Sequence, residues 1–127
     1  MRSVDEIESL INMKLVLRLK WNDPRLQWDS TQFNGLKSIS LNYYATKIWT
    51  PDMSSWNLNS KYMFPKLDYA LIHLDSDGGI YWSRPGYVVL NKKFNYINYP
   101  FDTQNVEMLI ESWAYPSSRL HVIPWIK

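Results

Sequence analysis

The residues of this 127-residue chain that could do chemistry are aromatic rather than catalytic. There is no cysteine, so thiolate nucleophiles, disulfides and thiolate metal sites are all excluded. The two histidines, His73 and His121, stand apart, each within a stretch that reads as a strand. No Ser-His-Asp arrangement, glycine-rich phosphate cradle or paired carboxylates accompany them. Asp75-Ser-Asp-Gly-Gly79 lacks the further acidic positions of a calcium loop and reads as a hairpin turn whose glycines permit positive φ. The sequence thus predicts no enzyme, no metal and no cofactor. Seven Trp and nine Tyr remain, and two of them close the most distinctive stretch. Tyr99-Pro-Phe-Asp-Thr-Gln104 is a proline turn between two aromatic rings, a setting that favours a cis Tyr99–Pro100 bond. It leads into Leu109-Ile-Glu-Ser-Trp-Ala-Tyr115, where Val106, Met108, Ile110 and Ser112 alternate with their neighbours as in a half-buried strand ending at Trp113 and Tyr115.

The elements that must hold these residues are strands. A chain of this length forms one domain, 1–127, with one modest core, and many Trp and Tyr beside few Gly suit a β-rich fold. From Met13 to Trp21, Leu15, Leu17, Leu19 and Trp21 point one way, while Lys14, Val16, Arg18 and Lys20 point the other. Asn22-Asp-Pro-Arg25 ends that strand in a type I-like turn, and Leu26 and Trp28 return to the core. Short strands are predicted over Leu36–Leu41, Phe64–Leu74, Ile80–Leu90 and Arg119–Ile126. Met1–Glu8 reads as a polar lead-in and Met53–Tyr62 as irregular. Strands every 8 to 12 residues with no helical period predict an antiparallel β-sandwich of the immunoglobulin-like kind. Trp49 reads as one of its core anchors.

Charge and hydropathy narrow the partners. The net charge is +2, with Lys and Arg dispersed, which gives no footprint for nucleic acid. No apolar run approaches a membrane span and the N-terminus lacks a signal-peptide pattern. The chain as given reads as soluble, with any membrane segment lying elsewhere. The absence of cysteine and of an N-x-S/T acceptor is compatible with a reducing compartment.

The spaced motifs carry a family resemblance. The Tyr99–Gln104 turn followed by Ser112-Trp-Ala-Tyr115, the Trp49-Thr-Pro-Asp52 signature, the Trp21–Trp28 run and Trp82 together resemble the extracellular ligand-binding domain of the pentameric ligand-gated ion channels, the Cys-loop receptors. The resemblance runs from about Asp5 to Ile126 and covers the middle of that domain, so the sandwich is incomplete at both ends. It lacks the family's first helix and strand, the last two strands with the capping loop between them, and the membrane helices. The two cysteines of the family's loop would fall at Lys92 and Val106, with 13 residues between them. The bond is lost while the loop length is kept, which leaves closure of the loop to packing of Tyr99, Pro100 and Phe101.

The resemblance implies site residues. Trp113, Tyr115 and Trp56 fall on one wall of an aromatic box for a small amine or amino acid at a subunit interface, where cation–π attraction gives the reason for those rings. For Trp113 and Trp56 the alternative is core packing. Val16 falls on the opposite wall where an aromatic is common. Arg18 falls where some receptors hold a ligand carboxylate, with a solvated strand-face cation as its alternative. Tyr99, Pro100, Phe101 and Asp102 form the loop that presses on the pore domain. The implied partners are other subunits of a homo- or hetero-oligomer, a pentamer by resemblance, at the extracellular face of the cell membrane. A non-channel structural subunit of a larger, organellar membrane assembly and a soluble pentameric binding protein remain as alternative functions.

Overall fold

A computed structural model describes residues 3–5, 7, 9–42, 46–58 and 71–125. Among these, the strands are β1 (Ser3–Asp5), β2 (Leu10–Asn22), β3 (Ser38–Asn42), β4 (Met53–Ser55), β5 (Leu71–Asp75), β6 (Gly79–Asn91) and β7 (Ile110–Ser112). They follow the order β1-β2-β6-β5-β3 in one sheet and β4-β7 in a second. The β1–β2, β3–β5, β5–β6 and β4–β7 pairs are antiparallel. This is the all-β, antiparallel class that the strand spacing predicts. No helix among the described residues is long and apolar enough to cross a membrane. Two compact units divide the chain, one drawing on Leu15–Ile48 and Pro65–Gly86, the other on Met1–Lys14, Trp49–Phe64 and Tyr87–Lys127.

In the first of these units, Ile72, Leu74, Ile80 and Trp82 form the buried core. The pairing of Ile72 with Trp82 and of Leu74 with Ile80 puts all four on one face of the β5–β6 hairpin. Leu19 and Trp21 of β2, Leu26 and Trp28 beyond it, and Ile39 and Leu41 of β3 pack against them. Each fully buried side chain of this kind contributes about 1.5–3 kcal/mol. From Lys14 onward β2 alternates exposed and half-buried residues as its hydropathy pattern predicts. The type I-like turn after it forms with Pro24 in its second position, the Leu26 N–H donating to the Asp23 carbonyl at 3.0 Å, and it runs on as a 3-10 turn over Pro24–Leu26. Buried Asp23 caps that turn: it accepts the Arg25 backbone N–H at 3.1 Å and the Arg25 guanidinium at 2.8 and 2.7 Å. The Asp23 N–H donates to the Gly78 carbonyl at 2.9 Å and so ties the corner to the β5–β6 turn. In that turn only Gly78, of the two glycines, takes positive φ, at 81°. His73 lies on the exposed side of β5, 2.9 Å from the Ser40 hydroxyl.

In the second unit, β1 pairs with the start of β2, with Val4 opposite Ile11, so residues 3–5 of the expected lead-in are strand. Ile11, Met53, Leu58, Val88 and Leu90 are buried there, and Leu58 bridges to Leu90. Met53–Ser55, expected to be irregular, forms β4, while residues 59–62 lie outside the described set. The strand expected over 106–113 contracts to Ile110–Ser112, because its partner β4 offers only three residues. Beyond Ser55 the partner of this segment becomes the Asn57 side chain, which takes the Leu109 N–H at 3.3 Å. The strand expected over Arg119–Ile126 does not form among the described residues. Instead the N–H groups of Arg119 and Leu120 close a turn onto the Pro116 carbonyl at 2.9 and 3.0 Å, and Pro124 removes a donor from the segment that follows. His121 accordingly lies outside any strand. β3 begins at Ser38, two residues later than expected. Of the Phe64–Leu74 strand only the part from Leu71 is described.

Gly78 and Gly35 separate two costs. Both have positive φ, but a Cβ at Gly78 would lie 2.6 Å from the Asp23 carbonyl oxygen, whereas one at Gly35 meets open space. Gly35→Ala is expected to cost about 1 kcal/mol, from backbone strain alone. Gly78→Ala adds displacement of backbone and is expected to cost about 2–4 kcal/mol. Urea unfolding midpoints measure both, and equal losses would contradict the close approach.

Candidate functional site

Asp52 is the organiser of the aromatic residues. It follows Pro51 at the start of β4, and its carboxylate reaches across to the end of β7. One oxygen accepts the Ser112 hydroxyl at 2.6 Å and the other accepts the Ala114 backbone N–H at 2.7 Å. Ser112 Oγ in turn accepts the Tyr115 N–H at 3.0 Å, so the bend after β7 is built from these polar groups. The Ser112 hydroxyl is the main cause holding the Asp52 carboxyl below its ordinary 3.8. Partial desolvation opposes it, and the Ala114 and Trp113 backbone N–H groups reinforce it. Hydrogen bonds to the charged form act in this direction because protonation would remove an acceptor.

On either side of Asp52 the two segments meet through rings. Trp49 stands edge-on to Tyr115, with centroids 6.4 Å apart and planes at 62°. Trp56 lies against Trp113 at 5.2 Å and 41°. The family resemblance implies that Trp56, Trp113 and Tyr115 share one wall, and the structure holds these three residues and Trp49 in one unit. Trp56 and Trp113 are 65% and 71% exposed, so neither is a core residue. Trp49, expected as a core anchor, is 38% exposed, because its ring rests on the edge of Tyr115 instead of inserting under a sheet. Exposed indole faces in a tilted pair can attract a cation by the ring quadrupole. Asp52 and Ser112 were not legible as site residues, although Asp52 stands within the Trp49-Thr-Pro-Asp52 motif.

Val16 and Arg18 belong to the other compact unit, where both lie on the exposed side of β2. The Tyr99–Pro100 bond is cis, as its aromatic flanks suggest. Packing of the turn does not close the loop, however, since Tyr99 is 74% and Phe101 91% exposed, and Pro100 is exposed too. Gln104 holds the loop instead. Its Nε2 donates to the Asn95 carbonyl and to the Asp102 carboxylate, both at 2.6 Å, and its Oε1 accepts the Asn95 N–H at 3.2 Å. At the base, Lys92 and Val106 line one open cleft of about 310 Å³, together with Asn57, Asn105 and Glu107.

Comparison with known proteins agrees with the motifs. The family model described as the neurotransmitter-gated ion-channel ligand binding domain matches residues 1–126. The chain is 30% identical to acetylcholine receptor subunit beta of Xenopus laevis over 124 residues, 95% of this chain and 24% of that protein. It is 27% identical to acetylcholine receptor subunit alpha of Danio rerio over 127 residues, covering 96% and 26%. It is 32% identical to neuronal acetylcholine receptor subunit alpha-3 of Carassius auratus over 120 residues, covering 94% and 23%. The chain spans about a quarter of the length of these relatives.

The Asp52 geometry yields a prediction. A carboxylate with a depressed native pKa contributes stability that is fully present above its unfolded value and is lost as pH falls through the native one. The near-ultraviolet circular dichroism of the Trp56–Trp113 pair should therefore hold from neutrality down to about pH 4 and fade below it. Asp52→Asn keeps the shape but leaves one acceptor where the carboxylate offers two, so the Ser112 and Ala114 donors can no longer both be met. It should cost about 1 kcal/mol and shrink the same signal at neutral pH. An unchanged signal in Asp52→Asn would show that the carboxylate does not position the rings.

Proposed function

The chain belongs to the neurotransmitter-gated ion-channel ligand-binding domain family, and from that premise we propose that it binds a small cationic amine against Trp56 and Trp113. The observation that carries the reading is that these two large rings meet at 5.2 Å yet stay exposed. A soluble domain normally buries indoles, and exposed aromatic surface of this kind marks contact with a ligand or partner. The relatives' names specify acetylcholine, which makes a quaternary ammonium the first ligand to test. Tyr115, edge-on to Trp49, forms the end of the wall.

In this proposal the chain is part of a subunit of an oligomeric channel, a pentamer, and faces the extracellular side of the cell membrane. Val16 and Arg18, exposed on β2, belong to the surface offered to a neighbouring subunit. Arg18 would grip a carboxylate when the ligand carries one, by a bidentate guanidinium contact. Tyr99, Pro100, Phe101 and Asp102 couple the domain to a pore carried by other segments.

Calorimetric titration of the 127-residue chain with acetylcholine, glycine and GABA tests the reading. Exposed cation–π contacts are worth about 0.5–1 kcal/mol, so Trp113→Ala should weaken acetylcholine binding about 2- to 5-fold. Arg18→Ala should leave acetylcholine unaffected and weaken only the ligands that bear a carboxylate. If no amine binds at millimolar concentration while Trp113→Ala changes stability or assembly, a structural subunit without ligand gating takes the place of this proposal.

A further inference from the structure

The loop from Lys92 to Val106 has no covalent closure, since the chain contains no cysteine. Its two stems nevertheless meet at one residue. The Asn57 carbonyl accepts the Asn91 N–H at 3.0 Å on the incoming stem. On the outgoing stem the Asn57 amide Nδ2 donates to the Glu107 carbonyl, and its Oδ1 accepts the Leu109 N–H at 3.3 Å. The Ser55 hydroxyl donates to the same Oδ1 at 2.9 Å, while the Glu107 carbonyl and the Leu109 N–H fix which way the amide faces. Partners 34 to 52 residues away in the chain are thus joined through one side chain and its own backbone. A generic turn asparagine bonds its own neighbours within a few residues; this one spends both amide atoms on a distant segment.

We propose that Asn57 is the non-covalent clasp that closes the 92–106 loop, and a positioning residue for the indole of its chain neighbour Trp56. Only an amide meets the requirement, because the outgoing stem presents a carbonyl and an N–H together and needs a donor and an acceptor side by side. An aspartate would set a carboxylate against the Glu107 carbonyl. A closure of this kind does not depend on thiol redox state. Asn57 follows Trp56 in the chain and bonds both loop stems, so loosening it would disturb both. The second role rests on the proposed amine site, whereas the first does not.

Amide hydrogen exchange of the ligand-free 127-residue chain tests the clasp. The amides to follow are Asn91 and Lys92, whose acceptors are the backbone carbonyls of Asn57 and Ser9 and so survive a side-chain change. Asn57→Ala and Asn57→Asp should each speed their exchange at least about 10-fold. The amides of the Ile72–Trp82 hairpin should keep their rates, and tryptic cleavage after Lys92 and Lys93 should accelerate. Asn105→Ala, which lines the same cleft, should leave the stems unchanged. If Asn57→Ala fails to fold, Ser55→Ala removes one bond to the amide and should speed the same two amides about 3-fold. Stem exchange that is unaltered in Asn57→Asp and Ser55→Ala overturns the clasp. For the positioning role, Asn57→Asp should reduce the near-ultraviolet signal that Trp113→Phe abolishes, and an undiminished signal overturns that role. Amine titration fails or succeeds separately, so loss of the ligand reading leaves the clasp standing on the exchange data.

Discussion

The β4–β7 ribbon is three residue pairs long, and a two-stranded ribbon of that length cannot hold its own register in water. What holds it is a polar side chain at each end. Asp52 precedes β4 and grips Ser112 and Ala114, where the Met53–Ser112 pairing begins. Asn57 follows β4 and grips Glu107 and Leu109, just beyond the Ser55–Ile110 pairing. With both ends fixed, the ribbon cannot slip by one residue, a slip that would turn its side chains to the opposite face. The Trp49–Tyr115 contact is a consequence of that register. Trp49 and Tyr115 lie nearly opposite one another in it, whereas Trp56 and Trp113 start at opposite ends of the ribbon and meet only because their side chains lean toward each other.

Magnitudes support a shared role for these polar groups. A disulfide closing a loop of this size would remove about 3 kcal/mol of unfolded-state freedom. Net contributions of about 0.5–1.5 kcal/mol for each of the two side-chain bonds from Asn57 to the outgoing stem sum to about 1–3 kcal/mol, a comparable range. The two devices differ in kind, because a disulfide acts on the unfolded chain while hydrogen bonds act only once the stems have met. A loop closed by hydrogen bonds opens locally more easily than one closed covalently. Gln104 limits such opening farther out, since it pins Asn95 and Asp102 while Tyr99 and Phe101 stay in solvent.

Period-two hydropathy made β2 legible, because Leu15 to Trp21 are governed by burial, which sequence pattern reports directly, and the glycine turn over Asp75–Gly79 made the β5–β6 hairpin legible. The aromatic motifs were legible as well, through types and spacing. The polar fasteners were not. Asp52, Asn57 and Gln104 look like ordinary loop residues until the distant backbone they bond is in place, and no local rule names that backbone. The same gap explains the strand misread over 106–113. Its alternation was read as regular pairing, whereas the segment is met by Asn57 where a strand partner would have to be. Trp49 was misjudged because burial of tryptophan is a tendency, and here the ring finds Tyr115 at the surface.

Exposure of the Trp56–Trp113 pair sets how strongly it can act by itself. A cation over indole faces open to water gains about 0.5–1 kcal/mol, against about 2 kcal/mol or more when the contact is desolvated. On the proposed reading, the missing factor is a cover that excludes water from those faces. On that reading a neighbouring subunit would supply one, and its docking would also bury apolar ring surface at about 25 cal/mol per Å². Ligand affinity and subunit association would then be linked, since whatever strengthens one in the covered state strengthens the other by the same factor. On the proposed reading, weak binding by the chain alone and tighter binding in an assembly would share one cause, the water that remains on two indoles when nothing lies over them.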